Sequence, residues 1–293
     1  MAAAEREGGF QEEDDPEQEE EKEGDNDLGL GAFFARQAPP PFPLPRFDDD
    51  DDDGDPTAAT TPTIELQQDS RSALGGRAWR ASLFLLRWLR RHHGPTALAD
   101  TAILDVGAGI GVLGLACACA RAGPPRLVAV TDQACLLPLL EANVAAVVRG
   151  VVGGGGRVPR VVVHRLDWLE RGRGADATAV AALAGPGGGF DWILVADCVY
   201  YQHLFAPLVD TLAALAGEVS RVVVCNDDGR TSAAGVEAAT GERWDAGFFR
   251  LLAREFAVEE DCVSPVGGAW GLGGGPYRVV VCRRRRVCGR GEG

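Results

Sequence analysis

Apolar and polar positions alternate in two distinct patterns after about residue 63. Apolar runs of about five residues predict strands, and stretches with apolar residues three or four positions apart predict helices. The predicted strands span residues 63–66, 102–106, 126–131, 160–165, 192–196, 221–225, 257–263 and 277–282. The predicted helices span residues 78–89, 111–121, 135–148, 204–215 and 246–255.

This alternation of short strands and helices predicts an α/β fold. Strands that alternate with helices form a parallel sheet with helices on both faces. No helix is predicted between the last two strands, so they should pair antiparallel. We therefore expect a Rossmann-like, seven-stranded, mostly parallel sheet with an antiparallel last strand. Glycine-rich loops are expected at residues 150–157, 185–189 and 267–275.

The N-terminal part of the chain has a different composition. Its first 69 residues hold 22 acidic and 4 basic residues, including six consecutive carboxylates at residues 48–53. Residues 39–45 are rich in proline, which favours polyproline II. Such a segment buries too little apolar surface to fold. We expect residues 1–60 to be a disordered acidic tail and residues 61–293 to form one domain.

The remaining chain, from residue 70 onward, is close to neutral, with 21 acidic and 25 basic residues. This balance gives no electrostatic case for a nucleic-acid partner. The eight cysteines form no C-x-x-C pair and mostly lie in apolar runs, which indicates reduced, buried thiols and no metal site. No apolar stretch reaches the length of about 18 residues that a membrane span requires. With an acidic N-terminus, we expect a monomer of the cytoplasm, with access to the nucleus and no membrane.

A glycine-rich turn after residues 102–106 predicts a nucleotide-binding loop. It reads Gly107-Ala108-Gly109-Ile110-Gly111, and glycine lets backbone approach a ligand without a Cβ clash. Gly109-x-Gly111-x-x-Gly114 also matches a dinucleotide fingerprint, so NAD is one alternative. Asp105, just before the first glycine, suits the cationic amino-acid end of S-adenosylmethionine better than a pyrophosphate. Asp132 ends the next strand and can accept hydrogen bonds from the ribose of either cofactor.

A second stretch places chemistry at another strand end. The strand predicted at residues 192–196 ends at Ala196, and Asp197 and Tyr200 follow it. A carboxylate there can hold a lysine ammonium for methyl transfer, and a phenol can line the channel for its alkyl stem. Each has a structural alternative, since Asp197 could cap a helix and Tyr200 could belong to the core. Trp168 could stack on an adenine or pack in the core.

These stretches together resemble a family of seven-strand protein methyltransferases that modify lysines on chaperones, elongation factors and the ATPase valosin-containing protein. The similarity covers about residues 63–286. The most specific match is Ala196-Asp197-Cys198-Val199-Tyr200-Tyr201, which is similar to the branch that acts on valosin-containing protein. Leu66-Gln67-Gln68 before Trp79 resembles the same branch. Loops 150–157 and 175–189 are longer and richer in glycine than the family pattern.

The resemblance implies a specific activity and a set of site residues. It implies an S-adenosylmethionine-dependent enzyme acting on a protein lysine, with an ATPase or chaperone as substrate. The implied cofactor contacts are Trp79, Gly107, Ala108, Gly109, Asp132, Trp168 and Ala196, and Asp197 and Tyr200 would face the lysine. Two alternatives remain open from the residues: another methyl acceptor, such as a protein histidine or a small molecule, and a non-catalytic interaction module.

Overall fold

The computed structural model describes residues 39–45, 47, 64–69, 73–157, 159–185, 189–227, 243–264 and 276–285. Its strands are β1 (Phe42–Pro43), β2 (Glu65–Leu66), β3 (Ala102–Val106), β4 (Leu127–Asp132), β5 (Arg160–Arg165), β6 (Trp192–Ala196), β7 (Arg221–Asp227), β8 (Phe256–Val263) and β9 (Tyr277–Arg284). Its α-helices are α1 (Arg80–His93), α2 (Val112–Ala118), α3 (Leu137–Gly153), α4 (Ala175–Leu183), α5 (Phe205–Leu215) and α6 (Ala246–Glu255).

Seven of these strands form one sheet in the order β5-β4-β3-β6-β7-β9-β8. The first five in this order are parallel, and β9 lies antiparallel to both β7 and β8. The predicted fold class and the antiparallel last strand are therefore confirmed. The central strands β3 and β6 are buried along their whole length, as expected for parallel strands covered on both faces.

Two groups of helices cover the sheet and bury its two faces in separate cores. Helices α1, α2 and α3 pack on one face, where Leu85, Leu113 and Leu140 are fully or almost fully buried. Helices α4, α5 and α6 pack on the other face and bury Val180 and Leu212. Burial of this apolar surface is the main favourable contribution to the stability of such a sheet.

The structure corrects two of the predicted loops. The segment expected to be an extended loop at residues 175–189 contains helix α4, which is rich in alanine, the strongest helix former. Helix α3 continues through Gly150 to Gly153, because Val147 and the neighbouring valines pack against the domain and outweigh the poor helix propensity of glycine. The glycine-rich loop predicted at residues 267–275 lies outside the described residues.

The predicted boundary at residue 60 is wrong for the described part of the tail. Strand β1 pairs antiparallel with β2, and the Leu44 amide donates to the Ile64 carbonyl at 2.8 Å. Leu44 and Phe47 are buried in the core formed with α1. The proline-rich composition concealed this segment, because few apolar side chains anchor it: Leu44 and Phe47 are buried, and Phe42 packs against the same core. The rest of the predicted tail, at residues 1–38, 46 and 48–60, lies outside the described residues.

One helical stretch, Ala134–Gly153, is long and apolar enough to cross a membrane by length and composition alone. The expectation that no stretch reaches this length is therefore wrong, because the charges of Glu141 and Arg149 are too few to lower the average. Leu140, Asn143 and Val147 of this stretch are buried against the domain. The core helix of a globular domain passes the same test, so this one helix is weak evidence for a membrane.

We predict that Phe47→Ala lowers the free energy of unfolding by about 3–5 kcal/mol, because Phe47 is 1% exposed and its removal leaves a cavity. This corresponds to a fall in melting temperature on the order of 10 °C for a domain of this size. Calorimetric or fluorescence melting measures it. Deletion of residues 1–38 is the control, because it removes none of the described packing. An unchanged melting temperature in Phe47→Ala would exclude this segment from the folded domain.

Candidate active site

The parallel strands bring their carboxyl ends to one edge of the sheet. The strand order reverses between β3 and β6, and ligands of open α/β sheets bind at such a switch point. The residues at or just beyond these strand ends are Gly107 after β3, Asp132 in β4, Asp197 after β6 and Asp227 in β7. The predicted cofactor loop and the predicted acceptor residues are therefore brought together.

The loop after β3 approaches its neighbours so closely that only glycine fits at two positions. Gly107 and Gly109 both have positive φ, at 68° and 58°. A Cβ on Gly107 would lie 2.6 Å from the Cys198 sulfur and 2.9 Å from the Trp168 ring. A Cβ on Gly109 would lie 2.7 Å from the Gly75 carbonyl oxygen. The loop is thus a close-packed backbone cradle between Trp168 on one side and Gly75 on the other.

Asp105 lies behind this cradle and organises it. Its carboxylate is 2% exposed and accepts a hydrogen bond from the Gly114 amide at 2.8 Å, in the first turn of α2. A carboxylate at this position interacts favourably with the helix N-terminus. Burial raises the pKa of Asp105 to about 7, and the Gly114 hydrogen bond opposes that rise. The side chain therefore positions the loop, and its predicted contact with the cofactor stays a prediction.

Asp132 faces the loop from the end of β4. Its Oδ2 accepts from the Gly109 amide at 2.8 Å, and its Oδ1 accepts from the Gln133 amide at 2.7 Å. Burial raises its pKa, while these two hydrogen bonds act in the opposite direction. A carboxylate has about four lone-pair sites, so Asp132 retains capacity for two further donors. The structure places it where a ribose could supply them.

The remaining predicted cofactor residues also surround the loop. Trp168 packs its ring against Gly107 and is half-buried against the second core. The Ala108 amide donates to the Thr131 carbonyl at 2.9 Å, which ties the loop to β4. Ala196 is the buried last residue of β6. Their predicted contacts with the cofactor remain predictions.

Asp197 begins a short loop that its neighbours hold from both sides. Its φ of 60° is in the left-handed region, which aspartate tolerates better than most residues. The Asp197 amide donates to Cys225 at 2.8 Å, and the Asn226 side chain donates to the Val199 carbonyl at 3.0 Å. On the other side, the Cys198 thiol donates to the Val106 carbonyl at 3.3 Å. Asp197 is not the cap of the helical turn that follows, because that turn starts at Gln202.

Asp197 lines a cavity of about 270 Å³ together with Asp227, Arg77, Ala78, Trp79, Arg80 and Ala81. Two aspartates, two arginines and a tryptophan thus line one space at the carboxyl ends of β6 and β7. Trp79 was predicted from the family pattern to contact the cofactor. The structure places it in the lining of the same cavity as Asp197, with its indole N–H donating to the Leu74 carbonyl at 3.0 Å.

Tyr200 follows Asp197 by three residues and is not among the residues that line the cavity. Its ring packs edge to face against Tyr201, with the ring centroids 4.8 Å apart. Burial raises the pKa of Tyr200, and Cys198, Asp132, Tyr201 and Asp197 add to the rise. The phenol is therefore protonated at neutral pH, so it can donate a hydrogen bond but cannot serve as a base.

The segment before α1 (residues 64–69 and 73–79, the pre-sheet segment) forms one wall of the site through hydrogen bonds that sequence reasoning missed. Buried Asn143 in α3 accepts from the Gln67 amide at 2.7 Å and donates to the Gln67 and Ile110 carbonyls at 3.1 and 3.0 Å. The Gln68 side chain accepts from the Ala78 amide at 2.8 Å. These bonds hold Trp79 over the cavity and join the segment to the cofactor loop.

Asp227 and the arginines of the cavity were also missed. Asp227 had a detectable signal, because it lies at a strand end like Asp132, but the predicted strand stopped at residue 225. The pairing of Asp227 with Tyr277 of β9 extends β7 by two residues. Arg77 and Arg80 carried no signal, because 28 arginines make any one of them uninformative.

The loop geometry fits S-adenosylmethionine. The absence of side chains at Gly107 and Gly109 lets the loop backbone pack directly against Trp168 and Gly75, and Asp132 beside it retains hydrogen-bond acceptors. No group of three His, Cys, Asp or Glu side chains among the described residues could hold a metal ion. The arrangement can bind a nucleoside next to a cavity with two carboxylates.

Comparison with known proteins identifies the family. The model of the lysine methyltransferase family matches residues 58–234, more than half of the chain. The chain belongs to the lysine methyltransferase family. It is an S-adenosylmethionine-dependent protein-lysine methyltransferase, which decides between the two cofactors that the loop motif left open.

Two relatives and one solved structure illustrate the similarity. The mouse (Mus musculus) protein N-lysine methyltransferase METTL21A is 28% identical over 199 residues, which cover 68% of this chain and 76% of that protein. Its zebrafish (Danio rerio) counterpart is 32% identical over 154 residues, which cover 52% of this chain and 61% of that protein. A TehB-like SAM-dependent methyltransferase from Corynebacterium glutamicum matches with a TM-score of 0.37 and 17% identity, covering 70% of this chain and 98% of that one.

We predict that Asp105→Asn changes how stability depends on pH. The native carboxyl group has a pKa of about 7, whereas in the unfolded chain it returns to an ordinary value near 3.8. Between these values the unfolded state releases the proton and the native state keeps it, so wild-type stability falls as pH rises. The slope is at most about 1.4 kcal/mol per pH unit.

The asparagine variant lacks this titration but keeps an oxygen for the Gly114 amide. The difference between its melting temperature and that of the wild type should therefore increase as the pH is raised from 5 to 8. The test compares the slopes of melting temperature against pH for the two proteins. The buried amide group also shifts the stability of the variant by a constant amount, which does not depend on pH. Melting curves measured across this range test it, and parallel pH profiles for the two proteins would show that Asp105 does not titrate there.

Proposed function

We propose that this enzyme methylates its lysine with Asp197 holding the incoming ammonium group and with Tyr200 lining the approach. The observation that carries the proposal is the position of Asp197. It lies at the switch point of the sheet, next to the cofactor loop, and lines a cavity walled by Trp79. A lysine side chain has an aliphatic stem and a cationic end, which match an indole wall and a carboxylate.

The cofactor side of the proposal assigns a task to each residue of the loop region. Gly107, Ala108 and Gly109 would accommodate the cofactor along the loop backbone, Asp132 would accept from the ribose hydroxyls, and Trp168 would cover the adenine. Asp105 would act from behind the loop, by holding Gly114 and by its proximity to the cationic amino-acid end. Ala196 and Trp79 would line the passage between cofactor and acceptor.

The acceptor side must overcome the basicity of lysine. A lysine amine has an ordinary pKa of about 10.4 and is a nucleophile only after losing its proton. The carboxylate of Asp197 attracts the ammonium, and desolvation by Trp79, Ala78 and Ala81 favours the neutral amine. Bound S-adenosylmethionine supplies an electrophilic methyl group. The contribution of the protein is to align the amine with that group and to exclude water.

The substrate is proposed only as a class of proteins. The match of Ala196–Tyr201 to the valosin-containing-protein branch supports a protein of the ATPase or chaperone class as substrate. The enzyme would work as a monomer in the cytoplasm, with access to the nucleus. A reducing compartment accords with the seven described cysteines, none of which forms a disulfide. Because the tail has no counterpart in the family pattern, it is the part most suited to distinguish this enzyme's partners from those of its relatives.

Calorimetric titration with S-adenosylhomocysteine, with NAD run alongside, is the first test of the cofactor site. We expect micromolar binding of S-adenosylhomocysteine and no heat with NAD. Incubation of cell extract with the enzyme and labelled methyl donor then tests the acceptor, with hydrolysis and amino-acid analysis to identify the labelled residue. Label on histidine instead of lysine would overturn the proposed role of the cavity.

We predict that Asp197→Asn lowers turnover by about 100-fold or more, because it removes the charge that aligns the amine. Asparagine tolerates positive φ, so the backbone at this position stays unstrained. The affinity for S-adenosylhomocysteine should change by less than about threefold, since the lysine contact lies beyond the cofactor. Single-turnover kinetics and calorimetry measure the two quantities. Full activity in this variant would remove Asp197 from the mechanism.

We predict that Asp132→Ala weakens cofactor binding, whereas Asp197→Asn mainly lowers turnover. Loss of a charged hydrogen-bond acceptor costs about 1.5–3 kcal/mol, so the affinity for S-adenosylhomocysteine should fall by roughly 10- to 100-fold. Asp132→Asn is the matched control, because it retains one acceptor oxygen for the Gly109 amide. Unchanged affinity in Asp132→Ala would count against a ribose contact.

A further inference from the structure

The chain contains a single lysine, Lys22, against 28 arginines. Lys22 lies in the acidic N-terminal segment, within the sequence Glu19-Glu20-Glu21-Lys22-Glu23. An enzyme that methylates lysines therefore carries one side-chain amine of its own, placed in a run of carboxylates.

The described part of the tail enters the domain beside the acceptor cavity. The Pro40 carbonyl accepts from the Gln68 side-chain amide at 2.7 Å, and the same amide group accepts from the Ala78 backbone at 2.8 Å. Ala78 lines the cavity with Asp197. A single carboxamide thus separates the last anchored part of the tail from the wall of the acceptor site.

The chain between Lys22 and this anchor is long enough to reach the cavity. Pro40 lies 18 positions after Lys22 in the chain. This stretch spans about 60 Å when fully extended and about 27 Å as a helix. Either length is greater than the gap between Pro40 and Ala78, which the single side chain of Gln68 bridges. A tethered group of this kind has an effective concentration on the order of millimolar.

The charges around Lys22 complement those of the cavity. Asp197 and Asp227 are suited to the ammonium, and Arg77 and the exposed Arg80 are suited to glutamates on either side of it. Glu21 and Glu23 occupy these flanking positions. A basic sequence around the lysine would instead place like charges next to Arg77 and Arg80.

We propose that the enzyme methylates its own Lys22 within the same molecule. This inference rests on the proposed function of the Asp197 cavity. The Lys22 ammonium loses a proton to solvent, its nitrogen forms a bond to the methyl carbon, and the bond from that carbon to the donor sulfur breaks. The sulfonium becomes a neutral thioether, so S-adenosylmethionine is the only co-reactant. The acidic tail is then a built-in substrate that competes with external lysines for the cavity.

Intact-mass and peptide mass spectrometry of the full chain incubated with S-adenosylmethionine test the proposal. We expect one or more methyl groups on Lys22, none in Lys22→Arg, and methylation slower by about 100-fold or more in Asp197→Asn. The rate constant should stay the same when the enzyme concentration is varied about 100-fold, because the reaction is intramolecular. A rate constant that rises in proportion to enzyme concentration, or an unmodified Lys22, would overturn the proposal.

A variant with the lysine moved to another position tests whether the neighbouring charges or the length of the tether determine the rate of methylation. Combining Lys22→Arg with Arg36→Lys moves the lysine closer to the anchor, between Ala35 and Gln37, without adjacent carboxylates. We expect methylation at least about tenfold slower than for Lys22. Equal rates would overturn the role given to Glu21 and Glu23.

A free peptide of residues 17–24 distinguishes failure of this inference from failure of the proposed function. Supplied at millimolar concentration to Lys22→Arg enzyme, it should be methylated, and at micromolar concentration it should react at least about 100-fold more slowly than tethered Lys22. Methylation of protein lysines in extract with an unmodified Lys22 would overturn this inference alone. Absence of methylation in extract, with S-adenosylhomocysteine still bound, would overturn the lysine chemistry of the cavity as well.

Discussion

The parallel register of β3 between β4 and β6 is the constraint on which the site depends. It places the ends of four parallel strands at one edge, so that Gly107, Asp132, Asp197 and Asp227 meet although up to 120 residues separate them along the chain. The close approach is possible only because Gly107 and Gly109 lack side chains. Buried Asp105 then holds the loop against α2, at the cost of keeping a carboxyl group away from water.

Two loops that carry chemistry are held by buried polar contacts rather than by their own secondary structure. Cys198 and Asn226 fix the loop that begins at Asp197, one from the side of β3 and the other from β7. Asn143 and Gln68 fix the pre-sheet segment that carries Trp79. Buried hydrogen bonds of this kind specify one geometry, because leaving any of the groups unpaired costs about 1–3 kcal/mol. The cavity between the two loops is thereby preorganised.

The same contacts join the N-terminal segment to the site. Leu44 and Phe47 anchor it in the core, and Gln68 links Pro40 to the wall of the cavity. A segment whose composition is typical of disorder is thus attached beside the cavity that we propose as the acceptor site. This attachment makes the acidic charge of the tail relevant to which lysines the enzyme meets.

Local patterns in the sequence determined most of the architecture. Apolar runs such as residues 102–106 and 192–196 located the buried strands, because strands covered on both faces require continuous apolar side chains. Glycines before a helix located the close-packed loop after β3, and Ala196–Tyr201 located the loop after β6, since these features depend on residues adjacent in the chain. The tertiary structure alone decided the packing of Phe47, the inward turn of Asp105, the bonds of Asn143 and the entry of Asp227 into the cavity. Each of these depends on a partner distant in sequence, and residue type alone does not reveal which partner the fold supplies.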